Sequence, residues 1–151
     1  MTSIREQLIV ADKAIVDSVS FIKTVKRSMM KYEDLKKFAS TQIPVGAVVG
    51  RLPKAEEYHR SGRHREIIGQ ISSSLIVDVF VYFQNTTVEM MDTEVSEKAN
   101  ELFAALFADS SRNGLCLETT VDIKPDYLYW DPFVAFTVQI SHLYIHTTGG
   151  I

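Results

Sequence analysis

Residues 65–84 read REIIGQISSSLIVDVFVYFQ, and their periodicity sets the class of fold. Side chains alternate along a strand, so Ile67, Ile71, Leu75, Val77, Val79, Val81 and Phe83 fall on one face. Ile68, Ile76, Phe80 and Tyr82 fall on the other. At roughly 3.3 Å per residue this stretch would span about 65 Å, beyond the usual strand. A bulge or bend near Ser72–Ser74 and a projecting end are therefore expected. A projecting strand with apolar residues on both faces suggests contact with other chains.

Working outward, residues 54–65 (KAEEYHRSGRHR) form a polar, mostly basic connection that reads as the tip of a long hairpin. The run after Pro44, VGAVVGRL, reads as a buried strand ending near Pro53. Before it, residues 29–39 are weakly helical around Tyr32, Leu35 and Phe38. Val19, Phe21 and Val25 alternate as a strand over 19–27. Ser3-Ile4-Arg5-Glu6 reads as a reciprocal capping box opening an amphipathic helix over 3–17, with Ile4, Leu8, Ala11, Ile15 and Val19 on its stripe.

Past the long strand, Asp92 or Thr93 is expected to cap a second helix whose broad apolar face carries Val95, Ala99, Leu102 and Leu106. Asn113-Gly114 supplies a turn, and Leu115 to Ile123 alternate as a strand. A closing strand runs from Phe133 to about His146, and 147–151 is expected to fray. The order predicts one α+β domain over 1–151. Its sheet is mainly antiparallel or mixed, with two main helices packed on one face and a long projecting β-hairpin.

The chain has 151 residues, of which 46% are hydrophobic and 23% charged. That is enough to bury roughly two thirds of the unfolded surface around one core. A formal charge of −3 supplies no general attraction to nucleic acid or to an anionic membrane. No apolar run reaches the length of a membrane span, and MTSIREQL lacks a signal-peptide core, which points to cytosolic synthesis. Cys116 is the sole cysteine, so no internal disulfide or multi-cysteine zinc site can form, and its strand-like surroundings suggest a packed thiol.

Few residues suggest chemistry. His142 and His146 share a strand face about 13 Å apart, too far to chelate one ion. Ser72, Ser73 and Ser74 lack a nucleophile-elbow pattern, and the glycines lack phosphate-loop or dinucleotide spacing. No catalytic residues, metal site or cofactor are expected, and the chain does not read as an enzyme. Two clusters remain as candidate protein interfaces. Arg60, Arg63, His64 and Arg65 could grip an acidic neighbour or a phosphate backbone, although solvated arginines at a hairpin tip explain them as well, and Glu56, Glu57 and Glu66 dilute the charge. Tyr129 and Trp130 could pack a sheet corner or anchor an interface.

Taken together, "IPVGAVVG", "SSSLIVDVFVYFQ", "TEVSEKANELFAALFAD", "RNGLCLETTVDIK" and "FVAFTVQISHLYIHT", in this order behind an amphipathic helix, resemble the tail terminator proteins of tailed bacteriophages, including the minor tail protein U type. The resemblance spans nearly the whole chain and rests on order and spacing, since the family has no short invariant motif. It implies a compact α+β virion protein forming a hexameric ring at the head-proximal end of the tail tube. Such a ring ends tube growth and receives the neck or head-tail connector protein. In a contractile tail it also touches the sheath protein. The implied partners are thus further copies of the chain, the tube protein, the connector and, where the tail contracts, the sheath, without membrane or specific nucleic acid. The implied location is the tail-neck junction of the virion, after assembly in the host cytoplasm. The rival readings are a tail-completion or head-closure adaptor of the same neck and a dimeric α+β ligand-binding protein.

Overall fold

The computed structural model describes residues 3–51, 58–60, 70–84, 88–125, 128–130 and 132–147. Helix α1 covers Ile4–Ser18, and the Ser3 hydroxyl caps it by accepting the Glu6 N–H at 3.1 Å. The expected reciprocal half of the capping box is missing, because the Glu6 carboxylate is held instead by Arg27 at 2.7 Å. The buried face of α1 carries Leu8, Ile9, Asp12 and Val16, rotated by about one residue from the predicted stripe. Val19, Phe21 and Ile22 do not extend into a strand. They close the helix as a turn, with Val19 N–H bonded to Val16 C=O and Ile22 N–H to Val19 C=O, and their side chains enter the core. Strand β1 is consequently only Thr24–Lys26.

A short helix α2 (Tyr32–Lys36) and a 3₁₀ turn at Ser40–Gln42 lead to β2 (Val45–Gly50). Then follow β3 (Tyr58–Arg60), β4 (Gln70–Gln84), α3 (Val88–Phe107), β5 (Glu118–Ile123), β6 (Leu128–Trp130) and β7 (Phe133–Thr147). The α3 helix begins before Asp92 and Thr93, so these residues lie inside it and do not cap it. The strand expected from Leu115 starts only at Glu118. Arg112, Asn113 and Gly114 all adopt positive φ, at 48°, 60° and 86°, and this left-handed run turns the chain before pairing can begin.

The sheet has the order β1-β2-β4-β7-β5, with β3 added to β4 and β6 to β7. Among the described strands only β1–β2 is parallel, so the sheet is mixed and the class is α+β, as the alternation of segments predicts. At its centre β4 and β7 pair antiparallel, each residue opposite one partner from Gln70↔Thr147 to Gln84↔Phe133. The expected bulge at Ser72–Ser74 is therefore absent. An equally long partner strand satisfies the ladder throughout, and nothing forces a break. Within the stretch 54–65 expected as the hairpin tip, Tyr58–Arg60 instead pairs as a strand with Ile71–Ser73 on the other side of β4, and the rest of that stretch lies outside the described residues.

The two faces of the sheet are covered unequally. Leu75, Val77, Val79, Val81 and Phe83 of β4 join Val134, Phe136, Val138 and Ile140 of β7 beneath α1 and α3. The opposite face carries a smaller cluster in which Leu35 and Met30 pack on Val45, Ala47, Tyr82, Phe133 and Ala135. Gly50 explains how α1 approaches β2 so closely, since a Cβ there would stand 2.5 Å from Ile9 Cδ1.

Candidate functional site

Of the sequence-predicted interface residues, the structure describes Arg60, Tyr129 and Trp130. Arg60 ends β3 opposite Ile71, whereas Arg63, His64 and Arg65 lie outside the described residues. Tyr129 and Trp130 form β6, which adds to β7 through Tyr129↔Val134 and Trp130↔Phe133. Both remain substantially exposed, at 56% and 38%. The Trp130 indole stacks on the buried Tyr82 ring with centroids 6.3 Å apart. This anchors one aromatic while a large part of the strand's surface stays open to a partner.

Because β4 already occupies the other side of β7 at Phe133–Ala135, β6 must lie on the side of β5. The two short strands run in the same direction and form one interrupted edge. Its ladder has a defined polarity. Lys124 N–H bonds to Thr137 C=O, in step with Glu118↔Leu143, Thr120↔Ser141 and Asp122↔Gln139. The alternation therefore directs the backbone groups of Thr119, Val121 and Ile123 away from β7. Glu118, Thr120 and Asp122 are exposed on the sheet face opposite α1 and α3. The other end of the sheet is β1, where Lys23 and Lys26 are exposed.

Beside β1 opens a groove of about 490 Å³, lined among others by Phe21, Lys23, Ile43, Pro44, Phe83 and Lys98. The Lys98 ammonium sits 5.2 Å from the centroid of the Phe21 ring, a cation–π contact that keeps a positive charge over an apolar floor. On the β2 side, Arg51 clamps Asp78 through Nε at 2.7 Å and Nη2 at 3.1 Å, and Nη2 also reaches Gln139 at 3.4 Å. This bidentate pair bridges β2, β4 and β7 on the face opposite α1 and α3.

A second cluster escaped the sequence reading. Asp12 of α1 accepts from Arg112 Nε at 2.7 Å and from His142 Nε2 at 2.6 Å. The other imidazole nitrogen is 2.8 Å from the Thr119 hydroxyl, which lies 3.3 Å from Cys116 Sγ. Since a carboxylate only accepts, Nε2 carries a proton. A complete relay follows when Thr119 donates to Nδ1 and Cys116 donates to Thr119. The order of groups is that of a nucleophile, base and acid, yet Asp12 and His142 are fully buried and Arg112, Cys116 and Thr119 nearly so. The relay presents no face on which a substrate could sit. It ties α1, the turn after α3, β5 and β7 into one unit.

The expected packing of Cys116 holds, with a specific partner added. His142 lies inward between Ile140 and Tyr144. Two sequence signals could have found the network. Asp12 interrupts the apolar spacing Leu8 to Val16, and His142 interrupts the inward alternation of β7. Among the described residues no three His, Cys, Asp or Glu side chains come together as a metal site, and no helix is long and apolar enough to cross a membrane. No family model matches the chain, and no curated protein matches it.

Proposed function

We propose that this protein is a structural component of a phage tail that closes the head-proximal end of the tail tube as a ring, in the manner of the tail terminators its segments resemble. The observation that supports this reading best is the element order. A capped helix, a valine-rich strand, a 15-residue strand, a 20-residue helix, a strand and a closing 15-residue strand follow one another as in the quoted segments. The layout suits such a task. Its sheet ends in two edges and its surface carries partly exposed aromatic residues at β6, whereas the polar cluster that has the composition of a catalytic relay is sealed in the core. Termination needs asymmetry: one face of the ring copies the edge that the tube offers, and the other refuses a further tube subunit. The ring also offers its upper face to the connector and, in a contractile tail, to the sheath.

The test is to mix the purified protein with its tail-tube protein and follow the mixture by native mass spectrometry and negative-stain imaging. Hexameric rings, and tubes capped at one end that no longer grow, are the expected result. A ring that leaves tube growth untouched but binds the connector would make it a neck adaptor instead. A stable dimer indifferent to both would overturn the virion reading.

A further inference from the structure

The two ends of the sheet are complementary. Following the pairings from β1 through β2, β4 and β7, β1 runs parallel to β2 and to β7, and β5 runs against them. The two terminal strands thus point in opposite directions. A second copy set beside the first, and slid along the strands until its Glu118–Asp122 stretch reaches the level of Lys26, would bring its β5 edge antiparallel to the first copy's β1, with helices on the same side of the joined sheet. Their charges are also opposed. Residues 23–31 contain Lys23, Lys26, Arg27 and Lys31 and no acid, while residues 118–131 contain Glu118, Asp122, Asp126 and Asp131 against Lys124 alone.

The side chains nearest the edges follow the same logic. The register Lys26↔Ala47↔Phe80↔Thr137 puts Lys26 on the face of the sheet that Thr137 shares with Gln139 and Ser141. Asp122 pairs with Gln139 and Glu118 with Leu143, so both acids lie on that same face. Arg27 is already engaged with Glu6, and Asp122 has Lys124 3.7 Å away. Lys23, Lys26 and Glu118 form no ion pair among the described residues. Exposed lysines on an edge strand ordinarily repel other edges. Here they would meet carboxylates.

We infer that copies of this chain join head to tail, the β1 edge of one, with Lys26 facing the carboxylates and Lys23 adding positive charge at its start, against the β5–β6 edge of the next with Glu118 and Asp122. Such a contact uses two different patches, so it repeats from copy to copy and closes into a ring where the rotation permits. The strand β1 limits direct backbone pairing to about three residues, and the charged side chains fix the register and exclude the inverted pairing. Tyr129 and Trp130 stand on the receiving edge, beyond Lys124, where they can cover apolar surface of the incoming copy. This inference specifies the joint of the ring proposed above and rests on that reading for its biological use.

The test uses two charge-reversed variants of the full chain, Lys23→Glu with Lys26→Glu, and Glu118→Lys with Asp122→Lys. Association is read by native mass spectrometry and by sedimentation at low and high salt. Wild type is expected to form closed oligomers whose population falls as salt rises. Each variant alone should associate at least about tenfold more weakly, because like charges then face one another at every joint. Mixed in equal amounts, they should recover oligomers in which the two variants alternate. Circular dichroism verifies that both remain folded. Wild type that stays monomeric at all concentrations, or variants that assemble as wild type does, would overturn the inference. So would a mixture that fails to recover. Oligomers that follow this pattern yet leave tube growth unchanged would uphold the joint and remove the tail-terminator reading, so the two can fail separately.

Discussion

His142 Nε2 lies 2.6 Å from an Asp12 carboxylate oxygen, joining β7 to α1 across 130 residues of sequence with both side chains fully buried. The other carboxylate oxygen receives Arg112 Nε at 2.7 Å. Removing the acceptor leaves two buried donors with nothing to replace it. Asp12→Ala is expected to cost about 3–5 kcal/mol, and Arg112→Met a comparable amount because it leaves the buried carboxylate with His142 as its sole partner among the described side chains. The double variant should cost clearly less than the two together, since neither charge is then left alone. Urea unfolding of the three variants measures this, and strictly additive costs would show that the groups act independently.

Tyr82 carries the opposite problem. Its ring is buried and stacked, but among the described residues its hydroxyl makes no well-aligned hydrogen bond. Burial raises the phenol above its ordinary value of 10.0, and the nearby Met30 backbone offsets this only in part. With the folded value raised, the unfolded chain releases its proton first, so stability is full below about pH 10 and declines as pH rises above it. Tyr82→Phe should remove this component of the alkaline loss. At neutral pH it should be neutral or stabilising by up to about 1 kcal/mol, because an unsatisfied buried group disappears. Thermal melts between pH 7 and 11 read both effects.

Glu6 governs the acid side of the same curve. The hydrogen bond from Arg27 holds its carboxyl below the ordinary 4.5, with further attraction from the charges of Arg27 and Arg5. A lowered folded value means the contribution is full above the ordinary range and vanishes as pH falls through the folded value. Both partners are more than one third exposed, so the effect is small and screened by salt. Arg27→Met should flatten the acid limb of the stability profile without moving the neutral plateau at high salt, as followed by circular dichroism from pH 2 to 7.

Gly50 tests the seat of α1. An added methyl would meet Ile9 Cδ1 at 2.5 Å, Ile9 Cγ1 at 3.1 Å and Arg5 Nη2 at 3.3 Å. Gly50→Ala is expected to lower stability by about 1–3 kcal/mol through overpacking. Shortening the obstructing side chain in Gly50→Ala with Ile9→Val should return part of the loss. Equal stability of Gly50→Ala and wild type in urea would show that α1 shifts freely on the sheet.

Much of the fold is legible in local pattern. The alternation from Leu75 to Phe83 and from Val134 to Ile140 marks both central strands and their inward faces, and Ser3 marks the start of α1. Length misled where pairing decides. The stretch expected to bulge near Ser72–Ser74 is continuous from Gln70 to Gln84, because β7 matches it residue for residue, while its first residues, 65–69, lie outside the described residues. Val19, Phe21 and Val25 alternate like a strand, yet Val19 and Phe21 fold with Ile22 as a buried turn, since burial satisfies the same apolar residues in either conformation. β6 is too short to announce itself, and an aromatic run before a proline gave no pairing partner.

The sequence by itself determined the helices, the long central strands, the inward faces of the sheet and the α+β class, because 3.6-residue and two-residue periodicities are local properties of side-chain direction. Only the tertiary structure decided that Asp12, Arg112, Thr119 and His142 meet, that Trp130 lies on Tyr82, and that the sheet ends in a cationic and an anionic edge. Those relationships depend on which strand pairs with which and in what register. That choice is made by the burial of the whole domain, and no window of neighbouring residues contains it.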